Sequence, residues 1–211
     1  ITNRVSVLST GLNIDPIVVV QKAVPGLYSD ISSVEIDTYL AETAAALTVE
    51  HPDYSYLAAR IKVNSLHKET PGFIITTKNL YDDGLLREEY YKKVMENADL
   101  IESVIDYDKD YTFDYFALTT LIRAYLLKFD NKTIERPQDL WMRVTLTVTG
   151  SDFNLDKIKE TYKSLSTGMY THATPTLFNS GLKMQQLSSC FLIGMEAVSY
   201  THLRAHETIQ H

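Results

Sequence analysis

The stretch Ser32-Ser33-Val34-Glu35-Ile36-Asp37-Thr38-Tyr39-Leu40-Ala41-Glu42-Thr43-Ala44-Ala45-Ala46-Leu47 decides the fold class. Its opening Ser32-Ser33-Val34-Glu35 is a capping box, a hydroxyl followed three residues later by an acid, in which the two side chains satisfy the free N–H groups of a helix start. From Ile36 to Leu47 it is rich in Ala and Leu, which lose little freedom in a helix. Upstream, Val5, Leu8 and Leu12 space as one helix face, and Asp15-Pro16 opens a second helix that Pro25-Gly26 closes. Downstream, His51-Pro52-Asp53 breaks the chain and starts another helix, with Tyr54, Leu57, Ala58 and Ile61 at i, i+3, i+4 and i+7. Residues 1 to about 70 therefore read as a compact helical unit.

Pro71-Gly72 is the strongest internal boundary, and longer helices are expected beyond it. Asn79 to Ile105 predicts a charged helix, Asp106 to Asp110 an acidic loop, and Phe113 to Lys128 an apolar helix. Pro137 suits the first turn of a helix running to about Val148. Ser151-Asp152 is expected to cap a further one with Leu155, Ile158, Tyr162 and Leu165 inward. Periodicity fades from His172 to Gly181, and Leu187 to Ile193 reads as a short buried strand.

A formal charge of −7 argues against a non-specific nucleic-acid or membrane-surface binder. It leaves room for a phosphate ligand, which needs only a local cluster of cations and N–H groups. Cys190 is the one cysteine, so no intrachain disulfide framework is possible. With no signal peptide or spanning apolar run in view, a reducing, cytoplasmic setting is the default. Ile1 falls inside an amphipathic pattern, which reads as a missing N-terminus. At the other end, Val198 to Thr208 looks like the translation of a transposase sequencing adaptor, so residues from about Ala197 onward are set apart from fold reasoning. His202 and His206, four apart on a helical register, and the neighbouring His211 are discounted as metal ligands on that ground, and no metal site is expected.

Two segments could carry chemistry. Thr171-His172-Ala173-Thr174-Pro175-Thr176-Leu177-Phe178-Asn179-Ser180-Gly181 is rich in hydroxyls and turn formers. It reads either as an ordinary loop or as a source of donors for a phosphate. In Gln186-Leu187-Ser188-Ser189-Cys190-Phe191-Leu192-Ile193, two serines and a thiol enter an apolar run. Such groups are either hydrogen-bonded core residues or site residues. A lone cysteine is most often a small buried hydrophobe, with redox use the alternative.

Both segments resemble the entrance to the active-site barrel of class I ribonucleotide reductase large subunits. Glu135-Arg136-Pro137-Gln138-Asp139-Leu140-Trp141-Met142-Arg143-Val144 resembles the helix that precedes it in that family. Tyr107-Asp108-Lys109-Asp110-Tyr111 and Phe113-Asp114-Tyr115-Phe116 are similar to the segment before that. Val34-Glu35-Ile36-Asp37-Thr38, His51-Pro52-Asp53-Tyr54 and Leu57-Ala58-Ala59-Arg60-Ile61 resemble its ATP-cone domain. The motifs stand in the family's order and span nearly everything from Ile1 to Met195.

The resemblance implies a mainly α chain. A partial ATP cone (residues 1–72) is followed by a linker helix and loop (73–110) and the family's helical N-terminal domain (111–186). The first strand of a truncated α/β barrel (187–196) precedes the adaptor-like tail (197–211). It implies that Cys190 is one of two cysteines that reduce the substrate and close a disulfide. Ser189 then hydrogen-bonds the substrate and Thr174 touches its diphosphate, while Ser33, Asp37 and Lys68 contact an allosteric nucleotide. Ser33 as a helix cap and Asp37 as a solvated first-turn acid are the plain alternatives.

The implied activity is reduction of ribonucleoside diphosphates to deoxyribonucleoside diphosphates, with ATP or dATP as allosteric effector. A radical comes from a metal-containing small subunit, and thioredoxin or glutaredoxin supplies electrons. The large subunit forms a homodimer or higher oligomer, and no cofactor is bound directly by this stretch. Gln185 stands where the family usually has Pro, and Phe116 to Arg123 lacks an expected glycine and glutamate. The family's radical cysteine, partner cysteine, catalytic Asn and Glu, and the Gly-containing nucleotide turn of the cone do not occur here, so the fragment alone is expected to be inactive. Two further readings stand beside the enzyme: a nucleotide-sensing ATP-cone module without catalysis, and a plain helical interaction domain.

Overall fold

The computed structural model describes residues 1–192. Nearly two thirds of the described residues are helical, as the sequence predicts, and the one sheet among them is a two-stranded hairpin. The adaptor-like tail with its three histidines lies outside the described residues.

The first helices follow their sequence signals closely. α1 (Thr2–Leu8) leads to α2 (Pro16–Ala23), where Pro16 follows the Asp15 N-cap, whose carboxylate accepts from the Ile17 N–H at 2.9 Å. α3 (Ser33–Ala46) opens on the capping box, with Ser32 Oγ accepting from Glu35 N–H and the Glu35 carboxylate accepting from Ser32 N–H. α4 (Asp53–Glu69) buries Tyr54, Leu57, Ala58 and Ile61 on one face. These pack with Val5, Val19, Leu40 and Ala44 into the first core cluster. Arg60 locks the arrangement by donating to the carbonyls of Leu8 and Thr10 at 2.9 Å, satisfying the open end of α1.

Past Pro71-Gly72 the helices are shorter than expected. The single charged helix predicted from Asn79 to Ile105 is three: α5 (Phe73–Asp82), α6 (Glu88–Glu96) and α7 (Ala98–Glu102). Gly84, at φ +71°, turns the chain out of α5, and Asn97 interrupts the next run. The apolar helix expected over Phe113 to Lys128 stops early. α8 (Tyr115–Thr120) widens into a π-helical turn at Leu121–Tyr125 and gives way to the hairpin β1 (Lys128–Phe129) and β2 (Lys132–Thr133). Asp130 and Asn131 form its turn with φ of 48° and 62°, the left-handed pair that a tight hairpin demands and that Asp and Asn tolerate.

α9 (Pro137–Val148) has the predicted bounds and is buried almost throughout. α10 (Leu155–Ser166) buries Ile158, Tyr162 and Leu165 as expected, but its cap is Asn154 and not Ser151-Asp152. The aperiodic His172 to Gly181 segment contains a short helix, α11 (Thr174–Asn179). α6, α7, α9, α10 and α11 enclose the second core cluster around Leu140, Met142, Leu146 and Ile158. A small cluster of Ala59, Val63 and Leu118 lies on α4 and α8.

The expected buried strand at Leu187 to Ile193 is corrected over its described part. Residues 187–192 are not a strand, and Phe191 and Leu192 are exposed. A strand interior needs a neighbour to take its N–H and C=O groups, and the described residues bring none alongside. The chain just before it is pinned: Arg87 N–H donates to Gly181 O at 3.1 Å, and Lys183 N–H to Leu85 O at 2.8 Å. Gly181 has φ +75°, and a Cβ there would meet the Tyr90 ring at 3.2 Å. Gly181→Ala is expected to cost about 1–3 kcal/mol of stability. Urea unfolding with a wild-type midpoint would refute that.

Candidate functional site

Two neighbourhoods gather the residues singled out from the sequence, and a buried polar relay runs between them. The first is a cleft of about 520 Å³ between α3, α4 and the hairpin, lined by Asp37, Lys62, Ser65 and Glu69 on one side and by Asn131, Lys132 and Thr133 on the other. Asp37 is not a solvated first-turn acid. It is buried, and its carboxylate pairs with Arg4 and, at 3.6 Å, with Lys68. Asp37 and Lys68 are thus brought together by helices packed side by side. The helix cap is Ser32, which leaves the exposed Ser33 hydroxyl outside the capping box. Lys62 and the hairpin residues were not singled out from the sequence. The Asp130-Asn131 pair was the available signal, a turn dipeptide inside a run taken as helix.

The second neighbourhood is α11 and the segment that follows. Thr174 is the first, exposed residue of α11. Thr176 Oγ1 donates to Leu187 O at 3.1 Å, and Asn179 Nδ2 donates to Gln186 O at 2.7 Å. These bonds seat the stretch that leads to Ser189 and Cys190 against the helix that begins at Thr174. Cys190 is exposed, not a buried small hydrophobe, and the Ser189 hydroxyl lies 3.9 Å from its sulfur. Gln185, the departure noted from sequence, accepts from Arg87 at 2.9 Å, a tether that proline lacks the side chain to make.

The relay is built on α9. Glu135 and Arg143, both almost fully buried, form a two-point ion pair at 2.6 and 3.1 Å. The same guanidinium donates to the carbonyls of Ser180 (2.9 Å) and Leu177 (3.1 Å), holding the end of α11. Glu135 also accepts from Leu127 N–H at 3.0 Å, at the foot of the hairpin. Next to Glu135, Arg136 donates to Thr70 Oγ1 and to the carbonyls of Thr70 and His67, closing the C-terminal end of α4. His67 Nε2 meets the buried Asp110 carboxylate at 2.7 Å, whose pKa burial raises against the pull of His67.

A computed match to the family description "Ribonucleotide reductase, all-alpha domain" covers residues 111–185, which hold α8 to α11 and the hairpin. This part of the chain is therefore similar to the all-alpha domain of ribonucleotide reductases. Along 93% of its length the chain is 43% identical to the ribonucleoside-diphosphate reductase large subunit of Dictyostelium discoideum. It is 42% identical to the large chain of Schizosaccharomyces pombe over 93% and 43% identical to the large subunit of Danio rerio over 93%. Along nearly all of its length the chain is thus similar to ribonucleoside-diphosphate reductase large subunits. It spans about a quarter of the length of these relatives: 24%, 26% and 26%.

Glu135→Gln leaves the Arg143 charge buried without its partner and is expected to cost about 3–5 kcal/mol in urea unfolding. Loss of less than 1 kcal/mol, on the order of an exposed pair, would refute the clamp. Asp139 supplies the pH dependence. It sits at the third position of α9, accepting from Tyr107 Oη–H at 2.7 Å and from Arg136 N–H at 3.2 Å. Burial pushes its carboxyl up to about 7; the Tyr107 bond opposes this and Glu135 adds to it. An unfolded Asp titrates near 4, so between about pH 4 and about pH 7 the folded chain holds a proton that the unfolded chain has released. Stability from this group is full below that window and declines as pH rises through it. Asp139→Asn should flatten that part of the curve, and an unchanged slope in urea midpoints across the window would rule the assignment out.

Proposed function

We propose that this chain is part of the catalytic subunit of a ribonucleotide reductase that reduces ribonucleoside diphosphates for DNA synthesis, under allosteric control by ATP and dATP. The observation that carries the reading is the similarity to large subunits along nearly all of this chain, at 43% identity over 93% of its length. The geometry supports it: a thiol at Cys190 beside a hydroxyl at Ser189, on a segment hydrogen-bonded to the helix that starts at Thr174.

In this reading Cys190 is one of two thiols that deliver the reducing electrons. The ribose 2′-hydroxyl leaves as water, hydrogen takes its place, and the two thiols become one disulfide, so that a dithiol and a ribonucleotide yield a disulfide, a deoxyribonucleotide and water. Ser189 hydrogen-bonds the substrate and Thr174 contacts its diphosphate. Radical initiation comes from a metal-containing small subunit, and thioredoxin or glutaredoxin reopens the disulfide. The subunit works as a homodimer or higher oligomer in the cytoplasm; no helix among the described residues is long and apolar enough to cross a membrane.

Residues 1–72 form the ATP cone and 111–186 the helical domain, joined by 73–110, with 187–196 the start of a catalytic barrel. Ser33, Asp37 and Lys68 contact the effector nucleotide. A cleft with a buried carboxylate, a lysine at that carboxylate and further lysines on two walls suits a ligand carrying ribose and phosphates. No observation favours a sensor without catalysis.

The test is a reductase assay with a small subunit and a thiol donor. The 211-residue chain holds one cysteine and cannot close the disulfide within itself, so it should yield no deoxynucleotide. In the full-length protein Cys190→Ser should abolish repeated turnover while leaving ATP binding intact. Turnover by that variant, or by the short chain, would end the proposal.

A further inference from the structure

The hairpin β1–β2 is flanked by Leu126, Leu127 and Ile134 of the second core cluster, which Leu66 of α4 also joins, and it forms the wall of the cleft opposite Asp37. Lys132 projects from that wall and Lys62 from α4. Among the described residues neither lysine is in an ion pair, whereas Lys68 is committed to Asp37. The cleft also holds Glu69, whose carboxylate accepts from Ser65. A ligand with several negative charges would find uncommitted ammonium groups on both sides and one carboxylate to avoid.

We propose that Lys132, with Lys62 across the cleft, binds the phosphates of the effector nucleotide, so that occupancy ties the hairpin to α3 and α4. The proposal rests on the reading of this cleft as the ATP and dATP site. It gives the site a second wall, supplied by the hairpin. Ammonium groups suit phosphates as mobile point charges, and the tight Asp130-Asn131 turn holds Lys132 at a set height above the helices.

The consequence lies in what the hairpin is joined to. Its foot is closed by Ile134 N–H donating to Leu127 O at 3.0 Å, and Leu127 N–H donates to Glu135. Glu135 holds Arg143, and Arg143 holds the carbonyls of Leu177 and Ser180 at the end of α11. A hairpin drawn onto a bound polyphosphate therefore loads the pair that seats α11, from which the chain runs on to Ser189 and Cys190. The link from effector to substrate segment is three side chains and one backbone amide long.

The experiment is a calorimetric titration of the full-length protein with ATP and, separately, with inorganic tripolyphosphate, which has the charges but neither base nor sugar. Lys132→Ala should weaken both ligands about tenfold, and Lys132→Arg should restore most of the loss. Lys128→Ala, on the same hairpin but donating to Arg123 O outside the cleft, should change neither. Hydrogen exchange at Leu127 and Ile134 should slow on ATP addition in the wild-type chain and not in Lys132→Ala. Wild-type ATP affinity in Lys132→Ala would overturn this proposal and leave the effector site standing. An unsubstituted chain that binds neither ligand would overturn both. An equal loss in Lys128→Ala would reduce the effect to general charge and overturn the role of Lys132.

Discussion

The structure depends on one buried ion pair. Arg143 and Glu135 lie in the middle of the second core cluster, where two unpartnered charges would be prohibitive. They are tolerated because the charges meet at two points and the remaining donors and acceptors find backbone. Arg143 reaches the carbonyls of Leu177 and Ser180, and Glu135 receives Leu127 N–H. A hydrophobic pair of equal volume would fill the space but could not hold three chain segments in register. The hairpin, α9 and α11 are separate in sequence and share almost no regular backbone pairing, so side-chain charge does here what a sheet ladder does in other folds.

Other cations, one buried and two half-buried, perform the same service elsewhere. Lys93, on a helix that reads from sequence as merely charged, is buried and donates to the carbonyls of Leu146 (2.8 Å) and Gly150 (2.5 Å), closing the end of α9. Arg136 closes α4, and Arg60 closes α1. At these three helix ends, carbonyls left open by the geometry of i→i−4 bonding are met by a side chain from another element. This makes the packing specific as well as tight, since a helix shifted by one turn would present its carbonyls to apolar neighbours.

These cross-links explain what the sequence could and could not disclose. Local signals were legible: the Ser32–Glu35 box, Asp15-Pro16, and Pro137 opening a helix that ends at Val148. They act within one turn, so no tertiary context is needed to read them. Phe113 to Lys128 misled because an apolar run looks the same whether one helix or a helix and a hairpin bury it. Only the Asp130-Asn131 turn distinguishes them. Leu187 to Leu192 misled for the opposite reason: β propensity describes a surface that fits a sheet, and with no neighbouring strand among the described residues these residues form none, and Ser188 to Leu192 are exposed. Of the candidate site, the resemblance singled out Asp37 and Lys68 but was silent on Lys62 and Lys132, because those sit together only once the hairpin folds back over α4.

That folding back bears on how regulation could be built at all. A nucleotide site confined to α3 and α4 would act on packed core alone, and a packed core transmits little unless something has two positions to choose between. A hairpin of two residues per strand is marginal by itself. It is held by its foot at Glu135 and by whatever occupies the cleft above it. Such an element is weak enough to respond to a ligand and is bonded, through Glu135 and Arg143, to a part that is not weak. On the proposed reading, the combination of a soft lever and a stiff, fully satisfied charge pair would carry a binding event at one surface to the segment that holds the thiol.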